Sequence, residues 1–191
     1  LAAYIQSDSQ LSIEYSADLR RHQGRLHRLN GNWIIADSLL QEALNLYRSR
    51  APNSAGTAIC LNELGTLSLR NGRLPQARQL YEQALAVFEQ QNPVIHRNIA
   101  VVLNHIGLIH MRRGHQDSTD FYLDAALQKL LDKYGELHFN VALVYGNMGI
   151  AADMRGQHSD AASLCEKALF VLQKTVGENH PLGGSIINTL G

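Results

Sequence analysis

Leu61-Asn62-Glu63-Leu64-Gly65 (LNELG) ends on a glycine inside what otherwise reads as a helix. The motif returns as LNHIG at 103–107 and YGNMG at 145–149, and IINTLG closes the chain on Gly191. A helix-interior Gly costs about 1 kcal/mol relative to Ala, so a costly residue that returns on schedule points to a repeated structural need. Gly24, Gly65, Gly107, Gly149 and Gly191 are spaced by 41, 42, 42 and 42 residues. Gly31, Gly72, Gly114 and Gly156 keep the same step, as do Ala36, Ala77, Thr119 and Ala161. So do Ala43, Ala84, Ala126 and Ala168, each followed by Leu. Four ladders in one phase are the signature of a repeat array.

Within a repeat the apolar period is helical. In the second, Leu61, Leu64, Leu67 and Leu69 fall on one side before Asn71-Gly72-Arg73 interrupts the pattern. Leu74, Ala77, Leu80, Tyr81, Ala84, Leu85 and Phe88 then recur at three- and four-residue steps, as in a second amphipathic helix. Pro75 sits in its first turn, where a missing N–H costs nothing. No segment alternates like a strand. The predicted fold is all-α, an array of helical hairpins. The Gly65 ladder is expected to let the partner helix approach closely, and the Gly72 ladder to end the first helix and turn the chain.

The chain has 191 residues with 17 Lys plus Arg and 17 Asp plus Glu. Zero net charge argues against a general nucleic-acid or membrane-surface binder. Cys60 and Cys165 are too far apart in sequence for a metal spacing or a disulfide framework and read as small buried residues. No run of 18 apolar residues suggests a membrane span, and no signal-peptide pattern is present. His105, His110 and His115 are five apart; a step of five turns a helix by about 140°, so they do not share a face. Gly177–Ser185 (GENHPLGGS) lacks the Lys-Ser/Thr of a phosphate loop and follows a helix. No catalytic elbow is recognisable. The expectation is no enzyme, no metal and no cofactor.

The ladders resemble the tetratricopeptide repeat, in which small residues occupy positions 8, 20 and 27 and a Gly position 15. Counting from Ala58, those positions are Gly65, Ala77, Ala84 and Gly72, and the larger residue of position 24 is Leu40, Tyr81, Leu123 or Cys165 in successive repeats. The 42-residue period is similar to kinesin-light-chain-type repeats. LNELG and LNHIG match that type's leucine-asparagine stretch in part, and Gly177-Glu178-Asn179-His180-Pro181 matches its Gly-x-x-His-Pro loop. The resemblance implies a right-handed superhelical solenoid of antiparallel helix pairs. Repeats are expected at 17–57, 58–99, 100–141 and 142–183. Residues 1–16 read as the tail of an upstream repeat plus a linker, and 184–191 as the first-helix stub of a fifth repeat. With no polar capping repeat at either end, the chain reads as a window from a longer array. Arg20, Gln23 and His27 stand where apolar residues are expected, so the first helix is either less buried or unusually covered.

By the same resemblance, positions 2, 5, 9, 12 and 13 of the first helices line a concave groove that binds a partner's peptide. The first repeat supplies Arg21, Arg25 and Arg28 from a stretch, 19–28, holding four Arg and no acid. The second supplies Asn62, Thr66 and Arg70, and the third Asn104, Leu108, Met111 and Arg112. The fourth adds Ile150, with Asn147 beside position 5, and the stub adds Asn188. Recurrent Asn residues either hold an extended peptide backbone or bond neighbouring helices. The arginine row suits carboxylates through its bidentate fork, and the fourth repeat is apolar. The expected function is a cytoplasmic protein-interaction module binding an extended, partly acidic peptide, with no nucleic acid and no membrane. The alternatives are a sensor arm that controls another domain and self-assembly through open solenoid ends.

Overall fold

Four glycine turns cut the chain into hairpins. Gly31, Gly72, Gly114 and Gly156 take φ of +78°, +73°, +73° and +74°, a region that penalises any Cβ. Beyond each, an amide closes back over the turn: Asn32 to the His27 carbonyl, Arg73 to Ser68, His115 to His110 and Gln157 to Ala152, all between 2.8 and 3.0 Å. This bond satisfies carbonyls that the helix end leaves orphaned.

The computed structural model describes residues 2–91, 93, 95–177 and 180–187, and side chains from residue 13 onward except those of 182, 185 and 187. Among these residues the secondary structure is helical throughout, with no strand. The helices are α1 (Ala2–Leu29), α2 (Trp33–Arg50), α3 (Ala55–Arg70), α4 (Leu74–Glu89), α5 (His96–Arg112), α6 (Gln116–Tyr134), α7 (Phe139–Met154), α8 (His158–Val176) and α9 (Pro181–Ile187). They fall into two compact halves, residues 1–95 and 96–191. In the first, α1 pairs with α2 and α3 with α4, and α2 joins the hairpins by packing on α3. In the second, α5 pairs with α6 and α7 with α8; α6 packs on α7, and α9 on α8.

The first helices begin ahead of the repeat boundaries read from the sequence. The backbone of α1 is helical from Ala2 through Leu29, with no linker ahead of residue 17. The first helices α3 and α7 also start ahead of 58 and 142, because their caps lie upstream. Ser54 accepts the Thr57 N–H at 3.2 Å, and the His138 ring nitrogen accepts the Asn140 N–H at 3.2 Å.

The mid-helix glycines are holes for a side chain of the partner helix. A Cβ on Gly24 would stand 2.8 Å from Leu40 Cγ, and one on Gly65 2.7 Å from Tyr81 Cε1. On Gly107 it would stand 3.0 Å from Leu123 Cδ2, and on Gly149 2.7 Å from Cys165 Sγ. All four of these partner residues are fully buried. The alanine ladders on the second helices are buried as well. Thr119, the polar member, returns its hydroxyl to the His115 carbonyl at 2.9 Å. Both cysteines are free and buried, and burial pushes the Cys60 thiol up to about 12. Gly191 lies outside the described residues.

Gly65→Ala tests the fit. Helix propensity favours Ala by about 1 kcal/mol, but overpacking against a buried ring costs about 1–3 kcal/mol. Urea unfolding should therefore show net destabilisation. Gly184→Ala, with open space around the new methyl, should be neutral or stabilising; equal effects at the two sites would remove the hole-and-knob account.

Candidate functional site

The expected binding face is built from the first helices, and in the N-terminal half much of its charge is already in use. Arg21 donates from Nη2 to Asp18 Oδ1 at 2.7 Å and from Nε to the Tyr47 hydroxyl at 3.4 Å. Tyr47 donates to the same Asp18 oxygen at 2.6 Å. The hydrogen bonds from Arg21 and then Tyr47 hold the Asp18 carboxyl below its ordinary range. Burial, and then donation to Asp18, push the Tyr47 phenol up to about 12. Arg28 Nε meets a Glu63 carboxylate oxygen at 2.6 Å, with both side chains mostly shielded. The Arg70 guanidinium lies 3.8 Å over the Trp33 ring.

These contacts occupy much of the arginine row within the fold. Arg21 and Arg28 tie α1 to α2 and α3, and Arg70 covers Trp33. One acid, Asp18, adjoins the acid-free stretch on the same helix, and the other, Glu63, lies 35 residues beyond Arg28 on α3. A half-buried guanidinium is stable only when a carboxylate meets it, and sequence distance hid that partner. Arg25 is exposed and has no ion pair among the described residues. Of the polar pair on α3, Asn62 is half-buried, and Thr66 donates to the Asn62 carbonyl at 3.0 Å and accepts from Tyr81 at 3.3 Å. Arg20 pairs with Glu42 at 3.0 Å, and among the described side chains of α1 only Ala17 and Gly24 are buried. The first helix is thus the less buried of the two alternatives.

In the C-terminal half the seam is made of amides. Asn104 is buried, and its carbonyl oxygen accepts from Asn147 Nδ2 at 2.8 Å. Of the two roles open to these residues, this pair bonds neighbouring helices, α5 to α7. The asparagine run breaks at Gly146, where Ile186 of α9 lies at ordinary contact distance, 3.4 Å, from the place of a Cβ. Leu108, Met111 and Ile150 are half-buried and Arg112 is exposed. Asn188 lies outside the described residues.

A cleft of about 140 Å³ opens between the α5–α6 and α7–α8 turns, lined by Met111, Gly114, Gln116, Thr119, Ala151, Met154 and Arg155. Arg155 is held by Asp120 at 2.8 Å and Gln157 at 2.6 Å. Counted along the repeats, Gln116 and Met154 correspond to Trp33 and Arg70. The stacked pair fills that place in the N-terminal half. Asp18 stands at a groove position by the family pattern, but Trp33, Tyr47 and Glu63 escape a sequence reading; Trp33, the sole Trp, is the available signal.

Among the described residues no group of three His, Cys, Asp or Glu is placed to hold a metal ion, and no helix is long and apolar enough to cross a membrane.

Antiparallel helix pairs with a glycine hole at the centre and a positive-φ glycine at the turn define a helical-repeat protein of the class that serves protein–protein interaction. Two tetratricopeptide-repeat profiles match residues 15–90 and 141–182, together more than half of the sequence. The chain belongs to the tetratricopeptide repeat family. No curated protein sequence matches it. Among solved structures, BtubC (BKLC) from P. vanneervenii is 21% identical, with 96% of this chain and 81% of that one covered at a TM-score of 0.71. A Podosopora anserina putative kinesin light chain with nearly identical TPR-like repeats is 17% identical, covering 92% and 84% at a TM-score of 0.67. The apo form of RapI is 15% identical, covering 91% and 63% at a TM-score of 0.72. At these identities the likeness speaks to the fold alone.

Two measurements check the seams. Asn147→Ala strands a buried amide and should cost about 1–3 kcal/mol, whereas Asn104→Leu with Asn147→Leu should recover most of that loss in chemical denaturation. The second concerns pH. Because the folded-state pKa of Asp18 is lowered, its contribution is present above about pH 4 and is lost as pH falls through the folded value. Asp18→Asn should therefore flatten the acid limb of stability against pH; an unchanged limb would mean that the Asp18 cluster carries no linkage.

Proposed function

We propose that the chain binds an extended, partly acidic segment of a partner protein on the faces of its first helices. The observation that carries this reading is the open cleft beside Met111 and Met154, at the place the N-terminal half closes with its own Trp33–Arg70 stack. Methionine side chains adapt to varied apolar shapes, so the cleft suits one aliphatic or thioether side chain of the incoming segment. Half-buried Leu108 and Ile150 extend the apolar surface, and exposed Arg112 supplies a cation on the same half. The family's role in protein–protein interaction supports the coarse reading; the acidic, apolar-anchored ligand is the finer proposal.

Display of a random peptide library against the chain tests it. Selected peptides should place an acidic residue near a Leu, Ile or Met. Met154→Asp, at an exposed position, and Arg112→Glu should each weaken binding about tenfold or more while far-UV circular dichroism stays the same. Selected peptides that bind all variants equally would overturn the assignment.

A further inference from the structure

The face of α1 turned away from α2 carries an apolar stripe. Among the described side chains of this helix, Ala17 and Gly24 are the buried positions. Tyr15, Leu19, His22, Leu26 and Leu29 follow steps of four and three and lie roughly opposite them around the helix. Tyr15 is 73% exposed, Leu19 44%, Leu26 60% and Leu29 64%. The places of Leu19 and Leu26 are taken in α3 by Cys60 and Leu67, and in α7 by Val144 and Ala151. All four of those residues are buried, in helices that pack on α2 and α6. The stripe therefore has the character of a helix-packing face.

Charge says what fits it. One flank of the stripe carries Asp18 and Arg25, one heptad apart; the other carries Ser16 and Gln23. Opposite charges on one flank complement themselves only when two such helices run antiparallel, because like flanks then meet. With Tyr15 against Leu26 of a second copy, and Leu19 against its His22, Asp18 comes beside the second copy's Arg25. By two-fold symmetry the same pair forms again at the other side. A slide of one heptad would set Arg25 against Arg25, and a parallel pair would set Asp18 against Gln23. The groups are available for this contact. Arg25 has no ion pair among the described residues. Asp18 spends one oxygen, Oδ1, on both Arg21 and Tyr47.

We propose that this face docks a second copy of the chain, α1 against α1 in antiparallel register, closed by two Asp18–Arg25 pairs. The contact leaves the peptide face of the C-terminal half untouched, so its failure and that of the peptide reading are separable.

Sedimentation equilibrium from micromolar to several hundred micromolar tests the proposal. The average mass should rise from 21.2 kDa toward twice that value. Leu26→Glu should remain monomeric, and Arg25→Asp and Asp18→Lys should each raise the dimer Kd at least tenfold, with thermal melts confirming that each variant is folded. An equimolar mixture of Arg25→Asp and Asp18→Lys chains should regain the dimer, since each then offers the charges the other lacks. A wild-type chain that stays monomeric, as it would if the stripe receives a helix of another protein or segment, overturns the proposal. So does a dimer indifferent to Leu26→Glu, or a mixture that does not complement.

Discussion

Each hairpin depends on one contact, a side chain of the second helix seated on the bare Cα of a glycine in the first. The pairs are Gly24 with Leu40, Gly65 with Tyr81, Gly107 with Leu123 and Gly149 with Cys165. The hole is constant and the knob varies in size from Cys to Tyr. A missing Cβ cannot be replaced by any other residue, whereas a buried knob can be traded for another if the space around it adjusts. This asymmetry explains why the glycines stand out in the sequence and the knobs do not. The helix-propensity cost of the glycine is offset by burying the knob completely, and Tyr81 also extends its hydroxyl to Thr66.

Around those constant hairpins the seams between neighbouring first helices differ in chemistry. The N-terminal half uses charge, with Arg28 on Glu63 and the cluster of Asp18, Arg21 and Tyr47 beside it. The C-terminal half uses the Asn104–Asn147 amide bond, with Met111 and Asn147 at the repeat positions of Arg28 and Glu63. Removing one partner of a shielded ion pair leaves the other charge uncompensated, so loss of either Arg28 or Glu63 is costly to the first seam. An amide pair is satisfied with less demand on its surroundings, and the apolar residues beside it leave a cleft open.

Function in such an array lies in what each repeat adds to a shared scaffold. Two departures from the repeat's own norm mark surfaces that lie open among the described residues. One is the cleft at Met111 and Met154, where the other half carries its stacked Trp33 and Arg70. The other is the α1 stripe, whose counterparts in α3 and α7 are covered. Both surfaces are defined by comparison between equivalent positions, which makes an internal repeat its own reference.

The sequence by itself determined the all-α class, the hairpin, the turn glycines and the repeat phase, because each rests on local spacing and on residues that only one backbone conformation or one contact will accept. The arginine row is legible in the sequence, but not that Arg21, Arg28 and Arg70 already meet partners within the fold, and the asparagine ladder leaves the role of Asn104 and Asn147 open. The tertiary structure decided these, since Glu63 lies 35 residues from Arg28 and Asn147 lies 43 from Asn104 in sequence. A helix face is legible from its period. What stands opposite that face is set by how the hairpins pack, and no local pattern encodes it.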